Sequence, residues 1–325
     1  MNVAIVHEEI LQGRPDSEDL LGQASLVTGA LQALNFSHKI FTPGDSLTEL
    51  YEFLGQMSEY SPTLVFNLVE SHPRGQRLFP AFSGLLELAG FPYTGCPYDT
   101  LLTTTNKITA KSIMRACSIP TPGWHVFDGA VPPLRPHCHY IVKPSCEDAS
   151  VGIDDTSIFT DRESLLKSLP EAYATHKQPL LIEEFITGRE LNVSMLDHGN
   201  GKIEALPAAE IVFQDWPEDK PKIVNYAAKW LPRAFEYNNT PRQFNPPGID
   251  TEYVKRIALS CWRAFGLRGY GRVDFRVDES ARAYAIEVNA NPCISHDSGY
   301  MAAAREAGYT ETAVVNSIIE AALRK

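Results

Sequence analysis

Polar side chains recur at two-residue spacing late in the chain: Arg272, Asp274 and Arg276, then Glu287 and Asn289. Strand side chains alternate between faces, so within residues 271–277 these polar groups share one face and Val273, Phe275 and Val277 the other. The second segment, Ile286-Glu287-Val288-Asn289-Ala290-Asn291-Pro292, is expected to present Glu287 and Asn289 on the polar side and to turn Ile286 and Val288 inward. Asp278 to Arg282 reads as a hairpin turn between them. If the strands pair, Asp274 and the Glu287-x-Asn289 pair gather oxygen ligands beside Arg272. Mg2+ takes hard oxygen donors, keeps part of its water and borrows further oxygens from nucleotide phosphates, so few side chains suffice. Arg272 would then face a phosphoryl group or a developing oxyanion. The same pattern also fits an exposed hairpin with solvated charges on one side.

Such a hairpin needs a scaffold to position it. At 325 residues, 44% hydrophobic and 21% charged, the chain has the make-up of a globular protein with a large core in two or three domains. A formal charge of -11 argues against broad binding to nucleic acid or an anionic membrane, while leaving room for a local basic pocket. No apolar run approaches the roughly 20 residues of a membrane-spanning helix. The N-terminus reads as a short strand rather than a secretory signal. Six cysteines lie scattered without a Cys-x-x-Cys pair, which suits a reduced, cytoplasmic protein. His137, Cys138 and His139 have no matching ligand cluster and read as loop residues.

The first hundred residues alternate strand and helix: strand 3–6, helix 18–34, strand 38–41, helix 47–57, strand 64–68, then an apolar helix at 78–90 and a short strand at 91–95 running into a loop. Alternation of this kind implies a parallel sheet. No Gly-x-Gly-x-x-Gly follows the first strand, so a dinucleotide fingerprint is absent. A second unit opens with the helix at Asn106-Lys107, which ends before Ile119-Pro120-Thr121-Pro122, and continues with strands at 124–127 and 140–143. Residues 144–153 are small and polar and can bring backbone N–H groups to phosphates, or form a plain turn; no Walker-type P-loop is present. A helix near 162–174 precedes the strand 179–186. Glu183 and Glu184 at its end read as solvated charges or as a segment whose backbone serves a flat heterocycle, with Glu190 on a sugar. Residues 203–213 read as strands. The proline-rich stretch 214–248 reads as a long lid or binding loop, most ordered around 225–230. A helix at 251–265 leads into the hairpin, and helices near 299–307 and 310–323 close the chain.

Taken in order, these pieces resemble the ATP-grasp superfamily, most closely D-alanine:D-alanine ligase and its relatives. The landmarks are Asn106-Lys107, Val142-Lys143-Pro144, Glu147 to Ile153, Leu181 to Glu190, Tyr226-Ala-Ala-Lys229, Gly271-Arg-Val-Asp274 and Glu287-Val-Asn-x-Asn-Pro292. The resemblance implies an α/β (α+β) fold of three domains: an N-terminal parallel α/β substrate domain over 1–105, a central domain over 106–185, and a C-terminal domain over 186–325 with the metal site. ATP would lie between the central and C-terminal sheets. Lys107 and Lys143 would contact its phosphates, with Glu147, Ser150 and Val151 in a mobile covering loop. Glu183, Glu184 and Ile186 would surround adenine, and Glu190 would bond the ribose. Lys229 would reach the terminal phosphates, Arg272 would stabilise a tetrahedral oxyanion, and Ser298 would hold the acceptor carboxylate. Asp274, Glu287 and Asn289 would bind two Mg2+ ions, or Mn2+ in their place.

The implied enzyme is an ATP-dependent carboxylate–amine ligase making an amide or dipeptide bond through an acyl phosphate. Its partners would be small molecules, with no nucleic acid or membrane, and it would be a homodimer. The substrate half departs from the family. Aligning Ala24-Ser-Leu-Val-Thr-Gly29 with the family's first helix puts Gln23 where an acidic residue receives a substrate ammonium; Glu18, Asp19 or the earlier Glu8 and Glu9 are the acids that could substitute. Phe66 to His72 lacks the frequent His-Gly pair, and Cys293 replaces a usual glycine. The expected product is therefore not D-alanyl-D-alanine; a D-alanine:D-alanine ligase proper, or an inactive nucleotide-binding regulator, are the alternatives.

Overall fold

The computed structural model describes residues 1–11, 13–147 and 150–324, residue 16 by its backbone alone. Residues 148 and 149 of the expected phosphate-covering loop lie outside the described residues.

The chain opens with β1 (Asn2–Val6), α1 (Pro15–Ala33), β2 (Ser37–Phe41), α2 (Leu47–Tyr60) and β3 (Leu64–Asn67), in a parallel sheet of order β2-β1-β3. Parallel neighbours need crossovers, which α1 and α2 supply. Val3 to Val6 are fully buried, as a strand covered on both faces must be. At the start of α2, Ser46 and Glu49 cap each other's backbone N–H groups. After α3 (Ala81–Ala89) the chain forms α4 (Tyr98–Thr105), where the sequence reading placed a loop. Four threonines make α4 a weak intrinsic helix. It is held instead by tertiary contacts: Leu101 is buried, and the Thr100 hydroxyl donates to Phe265 O at 2.8 Å.

Next come α5 (Lys107–Ala116), β4 (Trp124–Phe127), β5 (Tyr140–Pro144), β6 (Ile158–Phe159), α6 (Arg162–His176) and β7 (Leu180–Glu184). The strands pair antiparallel in the order β4-β7-β5-β6, over a core that includes Tyr140, Val142, Leu165, Leu169 and Ile182.

The third sheet is the largest. It is built from β8 (Arg189–Asp197), β9 (Ile203–Ala205), β10 (Ala209–Ile211), β11 (Arg242–Phe244), β12 (Tyr270–Val277) and β13 (Ala283–Asn289). Its order is β11-β10-β8-β12-β13, with β9 also on β8. Between β10 and β11 the stretch read as an irregular loop carries two short helices, α7 (Tyr226–Trp230) and α8 (Phe235–Asn238). Helix α9 (Thr251–Phe265) buries Val254, Ile257, Ala258, Cys261 and Phe265 at helical spacing. Helices α10 (Gly299–Glu306) and α11 (Glu311–Leu323) return to the first sheet, where Ile318 and Ile319 share a core with Val27, Leu31 and Phe66. A second continuous core joins Val6, Phe53 and Phe82 to Val193, Phe275 and Ala285. The first and third sheets are thus fixed to one another by buried apolar surface.

Candidate active site

β12 pairs with β8 on one side and β13 on the other, placing Asp274 opposite both Asn192 and Glu287. Three oxygen-bearing side chains therefore form one row across three strands. A β-bulge sets the last of them: Asp274 opposes Glu287, but Phe275 opposes Ala285, leaving Ile286 extra. The bulge reverses the alternation of β13. Ala283 and Ala285 before it and Val288 and Ala290 after it are buried, whereas Tyr284, Ile286, Glu287 and Asn289 are only partly buried. This corrects the inward orientation expected of Ile286, which lines the cleft beside Glu287.

Every charge in this row has a partner. Arg272 grips Asp274 with two N–H groups, at 2.7 and 2.9 Å. Lys107 Nζ donates to Glu287 Oε1 at 2.9 Å and to Glu147 O at 2.6 Å. Burial works to raise the Glu287 carboxyl, but Lys107 and then Lys229 outweigh it and hold it well below the usual range. Lys143 Nζ donates to Glu183 Oε2 at 2.7 Å, and Lys111 Nζ takes the other oxygen of the same carboxylate. Lys111 and Glu183 are each 1% exposed. Lys111 was not anticipated as part of the site, although its spacing of one helical turn from Lys107 was legible. One buried carboxylate thus serves two ammonium groups. The surplus positive charge, beside Lys107, suits a nucleotide's phosphates.

As a cation site the row supplies two carboxylates, and the side-chain amide oxygen of Asn192 is buried without a hydrogen-bond partner among the described residues. Among the described residues no cluster of three or more His, Cys, Asp or Glu side chains able to hold a metal ion forms, here or elsewhere. A donor set this sparse fits Mg2+ that is completed by phosphate and water, not a cation held by protein alone.

Two cavities that share lining residues flank the row. The smaller, about 80 Å3, is walled by Ile141, Ile153, Glu184, Phe185, Ile186, Ile223 and Ile286, an apolar slot with Lys143 and Glu183 at its base. The Glu184 N–H is taken by Gly123 O, and its carboxylate meets Arg135 at 3.0 Å. Glu190, Lys229, Asp274 and Glu287 line both cavities. Arg276, expected on the polar face, is 4% exposed and donates to the carbonyls of Ile186, Gly188 and Lys222 and to Glu190. It fixes the segment around the slot. Glu147 and Val151 line the larger cavity, and Ser150 Oγ donates to Val224 O at 3.0 Å, tying the loop after β5 to the stretch before α7.

The larger cavity, about 510 Å3, runs from Glu287 to the first sheet. Gln23 lies inside α1, not ahead of it, and is 1% exposed; its amide bridges Glu70 Oε1 and Ile294 N. It does not line the cavity, whereas Glu8, Asp19 and Glu70 do. Burial pushes the Glu8 and Asp19 carboxyls up. The Cys293 thiol donates to Asp19 Oδ2 at 2.8 Å. Ser298 caps α10, its oxygen accepting from Met301 N, and lines the cavity with Arg242. Asn192 and Arg242 carried no signal in the sequence, because only the folded sheets bring them to this wall; of the four acids the sequence offered in place of Gln23, Glu8 and Asp19 line it and Glu9 and Glu18 do not.

A family model described as D-ala D-ala ligase C-terminus matches residues 137–320. The chain is 29% identical over 315 residues to a D-alanine–D-alanine ligase of a Synechococcus species, covering 93% of this chain and 90% of that one. It is 31% identical over 249 residues to the D-alanine–D-alanine ligase of Laribacter hongkongensis, covering 74% and 73%. An uncharacterized Sinorhizobium fredii protein, y4sG, is 31% identical over 268 residues, covering 81% and 75%. Among solved structures, the Bacillus anthracis D-alanine–D-alanine ligase complexed with ATP superposes with a TM-score of 0.76 at 20% identity, over 100% of this chain and 98% of that one. The likeness to solved structures is one of fold.

Proposed function

This chain belongs to the D-alanine–D-alanine ligase family and has its ATP-grasp fold, and on that footing we propose that it is an ATP-dependent ligase joining a carboxylate to an amine. The observation that carries the site assignment is the direct pairing of Asp274 with Glu287, with Lys107, Lys229 and Arg272 around it and a cavity on either side.

A carboxylate is a poor acyl donor because oxide is a poor leaving group. Its oxygen first attacks the γ-phosphorus of ATP, the bond to the bridging oxygen breaks, and ADP leaves behind an acyl phosphate. The amine nitrogen then attacks the carbonyl carbon; the carbon–oxygen bond to phosphate breaks, and the nitrogen sheds a proton. Lys107, Lys143 and Lys229 orient the phosphates and offset their charge. The apolar slot takes the adenine, and Glu190 at its mouth the ribose. Asp274 and Glu287, with Asn289 beside them, would hold a divalent cation, which would supply charge neutralisation for phosphoryl transfer. Arg272 meets the oxyanion of the tetrahedral intermediate. Acyl phosphates hydrolyse readily, so the loop after β5 and the stretch between β10 and β11 exclude water. A cytoplasmic setting fits the six free cysteines.

The substrates differ from a pair of D-alanines, because Gln23 is occupied with Glu70 and Ile294 while Asp19, Cys293 and Arg242 shape the cavity wall. The test is a screen of purified protein against pairs of D- and L-amino acids with ATP and Mg2+, read by phosphate release and product mass. The expected result is a condensed product formed with one phosphate per bond. Activity with D-alanine alone would make the chain a D-alanine–D-alanine ligase proper. Tight ATP binding without turnover across the panel would replace the ligase reading with a regulatory one.

A further inference from the structure

One buried cation beside the nucleotide slot has no part in the reaction as described. Lys111 is 1% exposed and lines neither cavity. An ammonium group has three N–H donors, and all three of its donors are taken: by Glu183 Oε1, by Thr121 Oγ1 at 2.7 Å and by Ala285 O at 3.3 Å. It therefore has nothing to offer a ligand directly. Its partners belong to different parts of the molecule, Glu183 to β7 in the second sheet, Thr121 to the segment ahead of β4, and Ala285 to β13 in the third sheet. The same segment holds Ala285 from both sides: Thr121 Oγ1 donates to Ala285 O at 2.7 Å, and Ala285 N donates to Pro120 O at 2.8 Å. Lys111 thus sits at a fixed joint, with its charge spent on Glu183.

Lys143 is placed differently. It lines the apolar slot, and among the described residues its ammonium makes one hydrogen bond, to Glu183 Oε2 at 2.7 Å. Its other N–H groups are left for a ligand. Lys111, Glu183 and Lys143 together carry one net positive charge. Without Lys111 the Glu183–Lys143 pair would be balanced, and a phosphate would have to compete with the carboxylate for Lys143. With Lys111 on the other oxygen the carboxylate is shared, and in a poorly solvated place the surplus charge attracts an anion strongly.

We propose that Lys111 is a positioning residue for the nucleotide's phosphates, acting through Glu183 on Lys143. By holding Glu183 Oε1 it fixes the carboxylate so that Oε2 steers Lys143 into the slot. By sharing the carboxylate it leaves the charge of Lys143 uncompensated until a phosphate arrives. The inference rests on the nucleotide reading of the slot and not on the ligation step.

The test compares ADP with adenosine, which lacks the phosphates, by calorimetric titration with a chelator present so that no cation contributes. It is run at pH 7, where Lys111, pushed down to about 8, still carries its proton. The wild type is expected to prefer ADP, and Lys111→Met to lower that preference about tenfold, the size of one charge-assisted contact, with adenosine affinity unchanged. Lys111→Gln keeps an amide N–H for Glu183 but no charge; it should show the same loss, and it decides the matter if the methionine variant does not fold. The third protein combines Lys111→Met with Glu183→Gln. With the carboxylate gone as well, Lys143 again lacks a counter-charge, and most of the preference for ADP should return, which a merely structural role for Lys111 does not predict. An ADP preference unaltered by loss of the Lys111 charge, equal weakening of both ligands, or a double variant no better than the single one overturns the proposal. A wild type that binds neither ligand overturns the nucleotide reading of the slot, and the proposal with it.

Discussion

The carboxylate of Glu183 has to satisfy two ammonium groups in a place that water does not reach. Burial works to raise its pKa, but Lys111 and Lys143 together hold it below the usual range. Lys111 has only a share of one carboxylate, and burial pushes it down to about 8, helped by repulsion from Lys143. Removing the shared partner should therefore cost more than removing either lysine. Glu183→Gln is expected to lose about 3–5 kcal/mol in urea unfolding, the usual cost of leaving a buried charge unpaired. The sign of the pH effect follows from Lys111. Its folded-state pKa lies below the ordinary lysine value of 10.5, so between about pH 8 and that value the unfolded chain binds more protons than the folded one. Stability contributed by this group should rise with pH across that window. Urea titrations should find that rise in the wild type and its loss in Lys111→Met; equal slopes in the two proteins would contradict the assignment.

At the level of elements, the bulge in β13 does what regular alternation cannot. It places Ile286 and Glu287, consecutive residues, on the same side of the sheet, one for the apolar slot and one for the phosphate end. Ile286→Ala should leave the ladder intact and weaken ADP binding by roughly 5- to 30-fold, on the order of 1–2 kcal/mol for the apolar contact removed. Fluorescence titration with ADP reads this directly, and an unchanged Kd would place the base elsewhere. Most strands and helices were legible because apolar periodicity is a local signal; β6 and β11 were not, being two and three residues long, and β11 lies inside the stretch 214–248 that reads as a loop. The bulge was not, since Ile-Glu-Val-Asn alternates as well with Ile286 inward as outward until Phe275 has been paired with Ala285. Helix α4 was missed for the opposite reason: its threonines argue locally against a helix, and the contact from Thr100 to Phe265 overrides them.

Over the whole molecule, the site exists only where separate sheets meet. Lys107 comes from α5, its partners from β13 and the loop after β5, so nucleotide and cation together should tighten the joint between the second and third sheets. A non-hydrolysable ATP analogue at about 100 times its Kd should stabilise the protein by about 2.7 kcal/mol. The thermal shift should be larger with Mg2+ than with a chelator. In Glu287→Ala the magnesium-dependent part should vanish, and its persistence would remove Glu287 from the cation site. The sequence by itself determined the mixed fold and most of the order of the elements, and it named Lys107, Lys143, Glu183, Glu190, Asp274 and Glu287 for the proposed nucleotide half of the site, because each sits in a short motif on a local strand or helix. In the substrate half the sequence named Ser298, but only the tertiary structure decided which residues share its wall. Asp19, Arg242, Cys293 and Ser298 come from α1, β11 and the approach to α10, and no local pattern relates them. What brings them to one wall is the burial of α1 and α11 in a core shared by the first and third sheets, a long-range packing energy that no window of sequence contains.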